Sequence, residues 1–181
     1  ACIGQGVGTI LLQIVGEVLN LPRSLLHYET PDTKFSPDAG ETTASRQTVF
    51  TGESARMAAT DVKRALEEEL QKRGKTGKLS AHQDILPDLF TSLSGKEFFA
   101  EYTYPTDKLG SDKPHPVSHV AYGYATHLID LDEEGKLAYV EAAHDVGRAL
   151  NPISLQGQVE GGVVMSLGYA LTEDYPLQKS V

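Results

Sequence analysis

Three short segments of this sequence combine small residues with neutral side chains that both give and accept hydrogen bonds: Gly4-Gln5-Gly6, Thr42-Thr43-Ala44-Ser45-Arg46-Gln47 and Gly157-Gln158. Glycines let the main chain approach a ligand without interference from a Cβ. A helix that starts just after them aims its unpaired N–H groups and positive dipole end at an anion. Amides and hydroxyls can wrap phosphate oxygens without bringing a charge of their own. Together the segments suit a large, polar, phosphate-bearing cofactor. The same residues also admit plainer roles. Gly4 to Gly6 can be a tight turn leading into a packed helix, Thr42 and Ser45 can satisfy turn backbone, and Gln158 can be a solvated helix residue.

Charge narrows the ligand further. The 181 residues hold 16 Lys+Arg against 25 Asp+Glu, and the net charge of -9 argues against a nucleic-acid partner. An anionic ligand must therefore be held by local dipoles. Cys2 is the single cysteine, so no internal disulfide can form, and a reducing, cytoplasmic setting is expected. No apolar run approaches the roughly 20 residues of a membrane span, so no membrane partner is expected either. The sequence opens Ala-Cys-Ile, and a glycine turn of this kind ordinarily follows a strand; a piece of a longer polypeptide is the expectation.

The elements that must position these segments alternate between helix and strand. Ile10, Leu11, Ile14, Val15, Val18 and Leu19 fall at helical spacing and predict a helix from Thr9 to Asn20. Ser24 to Thr30 has the length of a strand, and a polar, irregular cofactor loop is expected over 31–51. A second helix is predicted over 52–73, where Ala58, Val62, Leu66 and Leu70 repeat every fourth residue. A short helix near Leu86 to Leu93 and a strand from Glu97 to Tyr104 follow. A hairpin over 119–145 turns at Leu131 to Lys136, and Asn151-Pro152 can cap and start a final helix over 152–172. That helix carries Gly157, Gly161, Gly162 and Gly168, whose cost in a helix interior suggests close approach by a backbone or a ligand. The fold class expected is mixed α+β, with residues 1–181 as one domain.

Four motifs in order carry a family resemblance. Gly4-Gln5-Gly6 with Thr9 and Gln13, the Thr42 to Gln47 segment, His144-Asp145-Val146-Gly147-Arg148-Ala149-Leu150-Asn151-Pro152, and Gly157-Gln158-Val159-Glu160-Gly161-Gly162 resemble the molybdopterin-binding part of the xanthine dehydrogenase and aldehyde oxidase family. The resemblance runs from Gly4 to about Tyr175 and is weakest between Lys75 and Pro116. It implies hydroxylation of a purine, another N-heterocycle or an aldehyde at a molybdenum centre. It places Gln5 beside the molybdenum and pterin end, Thr42, Thr43, Ala44, Ser45, Arg46 and Gln47 around the pterin phosphate, and Gln158 facing the cofactor. No residue here is implied as a direct metal ligand. The cofactor implied is molybdenum-molybdopterin or its cytosine dinucleotide form. Implied partners are the remaining molybdenum-subunit domains and the iron-sulfur and flavin (FAD) domains or subunits. The family's catalytic glutamate, in a Gly-x-Gly-Glu type of motif, has no match; Val15-Gly16-Glu17 mimics part of it but lies inside the first helix pattern. No catalytic residue is therefore assigned, and the piece alone is expected to be inactive.

Two other site readings and one non-catalytic role stand beside this one. A Rossmann-like nucleotide-binding unit would use Gly4-x-Gly6 and the acidic Glu29, but Thr9 stands where its fingerprint wants glycine. A metal site could use His115, His119 and Asp112, though no helix aligns them. An assembly or interaction module is the third. His27, His82, His127 and His144 are scattered along the sequence and call for no function.

Overall fold

A computed structural model describes residues 2–29, 31–108, 110–117 and 119–176. Its first helix, α1 (Val7–Leu19), ends at Asn20, whose left-handed backbone (φ 54) closes the last turn through N–H bonds to Glu17 and Gly16. The second, α2 (Gln47–Lys72), buries Gly52, Ala59, Leu66 and Leu70, which recur at seven and four residues along one stripe. Its solvent side carries Glu53–Arg56, Asp61–Arg64 and Glu69–Lys72, three pairs at i,i+3 with nitrogen–oxygen distances of 2.7, 2.6 and 2.6 Å. The short α3 (Leu86–Ser92) follows a 3-10 turn at Leu79–Ala81, with Pro87 in its first turn, where a missing N–H costs nothing. One core joins these pieces: Leu19, Leu21, Leu66, Leu70, Leu79, Leu86, Leu89 and Leu93, backed by Val15, Val62, Phe90 and Phe98.

The chain divides into two compact units, residues 1–121 and 122–181. The second is a hairpin and a helix. Strands β1 (Tyr124–Leu131) and β2 (Leu137–Asp145) pair antiparallel from Tyr124↔Asp145 to Asp130↔Tyr139, with an irregularity at Asp130/Leu131. The turn between them is knotted by Asp132, whose carboxylate accepts from Glu134 N–H (3.1 Å) and Lys136 N–H (2.7 Å), while Gly135 takes φ 76. Helix α4 (Pro152–Leu171) starts under the Asn151 cap, whose side-chain oxygen accepts from Ser154 N–H at 3.0 Å. Among its described residues this unit buries none.

The mixed α+β expectation holds, with four α-helices and a two-stranded sheet among the described residues. Several boundaries differ, each for a physical reason. The cofactor loop expected over 31–51 ends at Arg46, because α2 begins at Gln47 and not at residue 52. Gly52 is no helix start; it is where α1 approaches, and a Cβ there would lie 2.9 Å from Ile14 Cδ1. The strands expected at Ser24 to Thr30 and Glu97 to Tyr104 are not formed among the described residues. The first stretch is a 3-10 turn at Arg23–Leu25 followed by irregular chain, with Thr30 outside the described residues, and the second is irregular throughout. Neither has a neighbouring strand, and a strand without a partner leaves its main-chain groups unpaired. The hairpin ladder starts at Tyr124, so 119–123 of the expected hairpin is irregular chain. The final helix stops at Leu171, one residue short of expectation. Its Gly157, Gly161 and Gly162 meet no atom of the chain within 4 Å of their Cβ positions, so the close approach expected there is not made by these residues' own surroundings.

Candidate cofactor-binding site

Helix α1 is entered through left-handed backbone. Gly4 (φ 105) and Gly6 (φ 82, ψ 25) take conformations that favour glycine, and Gly6 sits at the N-cap with no side-chain cap. The carbonyl of Gly6 accepts from Thr9 N–H (3.1 Å) and Ile10 N–H (3.3 Å), and the first N–H groups of a helix have no partner within it. Their influence reaches Cys2. The backbone N–H of Gly4, then that of Gly6, and more weakly those of Val7 and Gly8 hold its thiol below the usual range, against burial, which pushes it up. The main chain at this helix start thus favours the anionic form of the Cys2 thiol. Gln5 lies within this turn, half-buried, its side-chain oxygen accepting from Ile3 N–H at 2.7 Å.

Gly8 is needed for a second reason. A Cβ there would stand 2.6 Å from Cε1 of Tyr28, whose ring lies against the start of α1. Burial, and then the neighbouring Cys2 charge, push the Tyr28 hydroxyl above its ordinary range. Gly8→Ala is expected to force that ring away and destabilise the protein by about 1–3 kcal/mol. Denaturant unfolding of Gly8→Ala and of Gly8→Ala/Tyr28→Ala checks this: removal of the ring should cancel most of the Gly8→Ala loss.

Helix α2 is entered in a related way. Ala44 (φ 51) and Ser45 (φ 55) are consecutive left-handed residues without being glycine, which costs about 1–2 kcal/mol each. Strain of this kind persists only where the surroundings enforce it. Gln47 enforces it here. Its amide is buried, its Nε2 donates to Thr42 Oγ1 at 3.0 Å, and its Oε1 accepts from Thr51 Oγ1 at 2.5 Å. Arg46 adds a second clamp, with Nη1 on the Glu41 carbonyl (3.0 Å) and its guanidinium 4.8 Å from the centre of the Phe50 ring. Arg46 at the N-cap of α2 brings no side-chain cap, as Gly6 brings none to α1. Thr43 and Ala44 line a cleft of about 370 Å³ whose other walls include Phe50, Tyr102 and Asp107. Phe50 and Tyr102 meet at 6.0 Å and 56°. The Asp107 carboxylate closes the loop beyond by binding the Lys113 ammonium and accepting from Val117 N–H (2.9 Å), and those two partners hold it below the usual carboxylate range.

The two helix starts share one end of the helix pair. Ile14 meets Gly52, and further along both chains Leu19 and Leu21 join Leu66 and Leu70 in one cluster, so contacts advance in the same sense along α1 and α2. Gly4-Gln5-Gly6 and Thr42 to Gln47 therefore flank the same end. Within that set the structure separates two kinds of residue. Gly4, Gly6, Thr43, Ala44 and Ser45 present backbone, whereas Arg46 and Gln47 spend their side chains holding the loop.

Gln158 belongs to the second unit and is exposed on α4, next to Gly157 and one turn before Gly161 and Gly162. Upstream, Asp145 accepts from Gly147 N–H at 3.0 Å, and the chain then runs into the Asn151 cap. No group of three or more His, Cys, Asp or Glu suited to a metal occurs among the described residues, so the His115, His119 and Asp112 reading gains no support. What sequence reasoning missed is the pairing of His127 with His144: seventeen residues apart, they become neighbours only once the hairpin register is known. The alternation within each strand was the signal that could have found it.

Two helix starts behind left-handed residues, neither with a side-chain cap, have the kind of main-chain chemistry that suits an anion. The chain matches the molybdopterin cofactor-binding domain family over residues 1–180 and belongs to it. It is 28% identical over 189 residues to the 6-hydroxypseudooxynicotine dehydrogenase complex subunit gamma of Paenarthrobacter nicotinovorans, covering 96% of this chain and 24% of that one. To the xanthine dehydrogenase/oxidase of Rattus norvegicus it is 29% identical over 182 residues, and to aldehyde oxidase 1 of Cavia porcellus 28% over 175, covering 95% of this chain and 13% of each relative. It thus spans a quarter or less of the length of these relatives. The donor set fits a molybdopterin cofactor, because neutral N–H groups, not basic side chains, face outward in a protein of net charge -9. The Rossmann alternative falls: the sheet is one antiparallel hairpin, with no parallel βαβ unit among the described residues.

Proposed function

We propose that these residues form one wall of the molybdopterin pocket in a molybdenum hydroxylase that oxidises purines, other N-heterocycles or aldehydes. The observation that carries the reading is the pair of helix starts entered through left-handed backbone, at Gly6 before α1 and at Ala44 and Ser45 before α2, neither with a side-chain cap. When bound, the cofactor would supply the molybdenum at which a water-derived oxygen is transferred and two electrons are accepted. The chain's own residues bind and orient. Gly4 and Gly6 bring main chain close, and Gln5, reorienting from its contact with Ile3, offers an amide to the molybdenum end. Thr42, Thr43, Ala44 and Ser45 present main chain and hydroxyls to the phosphate. Arg46 and Gln47 hold that loop in its left-handed form, and Gln158 with Gly157 contributes from α4. No acid or base is assigned to this stretch. Electron transfer to iron-sulfur and flavin partners belongs to the same proposal, as does the choice between the plain pterin and its cytosine dinucleotide.

Gln5→Ala in the full-length parent enzyme tests the assignment. Molybdenum content per protein and turnover with a purine and an aldehyde are the readouts. A loss in either supports the site; a variant that keeps both at parent values overturns it.

A further inference from the structure

We propose that Tyr28 is a positioning residue for the cofactor turn: its ring, carried back along α1 by the chain that follows the helix, fixes the first turn from which Gly4-Gln5-Gly6 is presented. This role rests on the cofactor-wall reading above. Two glycines of α1 mark the path. Gly8 and Gly16 stand eight residues apart, about 12 Å along the axis and within about 80° of each other around it. At Gly16 the helix is met by Leu21, whose N–H donates to the Gly16 carbonyl at 3.1 Å. A Cβ at Gly16 would lie 3.2 Å from the Leu21 carbonyl oxygen and 3.5 Å from Leu26 Cδ1. At Gly8 a Cβ would lie 2.7, 2.6 and 3.0 Å from Cδ1, Cε1 and Cζ of Tyr28. Contacts thus pass from Gly16 to Gly8 as the chain goes from Leu21 to Tyr28, so this segment runs back toward the start of the helix. One edge of the tyrosine ring fills the place a side chain would take at Gly8.

That placement reaches the turn through the main chain. Gly4 and Gly6 hold left-handed backbone, and glycine passes readily between such conformations and others. Residues 2–4 are exposed, and no atom stands within 4 Å of a Cβ at Gly4. Burial begins at Val7 and Gly8. The Gly6 carbonyl, bonded by Thr9 N–H and Ile10 N–H, ties the turn to the two residues that follow Gly8. A ring seated on Gly8 therefore restricts where Gly6 and Gln5 can sit, and with them the amide offered to the cofactor. The contact is made by ring carbons, so it needs the flat ring and not the hydroxyl. A short branched side chain would leave a gap beside a residue that has no Cβ to fill it.

The test uses the full-length parent enzyme with Tyr28→Leu and Tyr28→Phe, read by amide hydrogen exchange and by molybdenum content per protein. In Tyr28→Leu the Thr9 and Ile10 amides, which close the first turn, should exchange at least about tenfold faster, while α2 amides beyond Ala59 keep parent rates and report an intact fold. Molybdenum content should fall by about half or more, and Tyr28→Phe, which keeps the ring, should return both readouts to parent values. If Tyr28→Leu does not fold, Gly8→Ala displaces the same ring from the other side and should speed the same two amides. Parent exchange rates at Thr9 and Ile10 would overturn the role, whatever the molybdenum content. So would a Tyr28→Phe variant that behaves like Tyr28→Leu, or faster exchange with parent molybdenum content in an enzyme that loses molybdenum on Gln5→Ala. If Gln5→Ala leaves molybdenum content and turnover unchanged as well, the failure lies in the cofactor-wall reading, and the positioning role falls with it.

Discussion

Leu89→Ala is expected to lower the stability of residues 1–121 by about 3–5 kcal/mol, because it empties a fully buried position in a core built from eight leucines. The value lies at the upper end for such changes for two reasons. Leu89 is 0% exposed, so no surface rearrangement can cover the void. It also stands in α3, a helix of 7 residues, too short to persist on its own propensity and held in place by what it buries. Since small domains are stable by only about 5–15 kcal/mol, roughly a fifth or more of the total is at stake. Urea unfolding followed by far-ultraviolet circular dichroism measures it, with Leu25→Ala, at a 50% exposed position, as the control expected to change little. A Leu89→Ala loss below about 1 kcal/mol would mean that α3 is not part of the core.

Gln47→Leu is expected to act locally and on function. The substitution keeps the bulk of a buried residue but removes the bonds of its amide to Thr42 and to Thr51, at a cost of about 1–3 kcal/mol. Without the Thr42 tether, the left-handed pair Ala44 and Ser45 loses the contact that enforces it and relaxes toward ordinary backbone. Amide hydrogen exchange should accelerate at residues 43–46 while α2 beyond Ala59 stays protected. In the full-length parent, molybdenum content should fall with it. Unchanged exchange at 43–46 would show that the loop is held without Gln47, as by Arg46 through Glu41 and Phe50.

Local chemistry made part of this legible in the sequence. Asn151-Pro152 announced the start of α4, and Asp132 with Gly135 announced the hairpin turn, because caps and turns are decided by residues adjacent in the chain. The four α-helices and the hairpin were legible as periodic and alternating patterns, though not all of their boundaries. Tertiary choices were not. Gly52 resembles a helix boundary and is a helix crossing, a distinction that depends on Ile14, thirty-eight residues earlier. Glu97 to Tyr104 has the composition of a strand but no partner for it. The positive φ of Ala44 and Ser45 could not be read from residue type, since neither residue favours that conformation. Gln47, at the start of the next helix, ties that loop through Thr42.

A sheet of two strands consists of nothing but edges. On the outer side of β1 and of β2, every second residue directs its N–H and C=O away from the ladder, a template on which another strand could grow. The usual protections, a covering helix or a proline in the strand, are not seen in Tyr124–Leu131 or Leu137–Asp145. What the hairpin has instead is charge: Asp130, Glu141 and Asp145 share one face, so two hairpins brought together edge to edge in register would align carboxylates of like sign. Negative charge thus works, at this spot, against the growth of a continuous sheet from chain to chain.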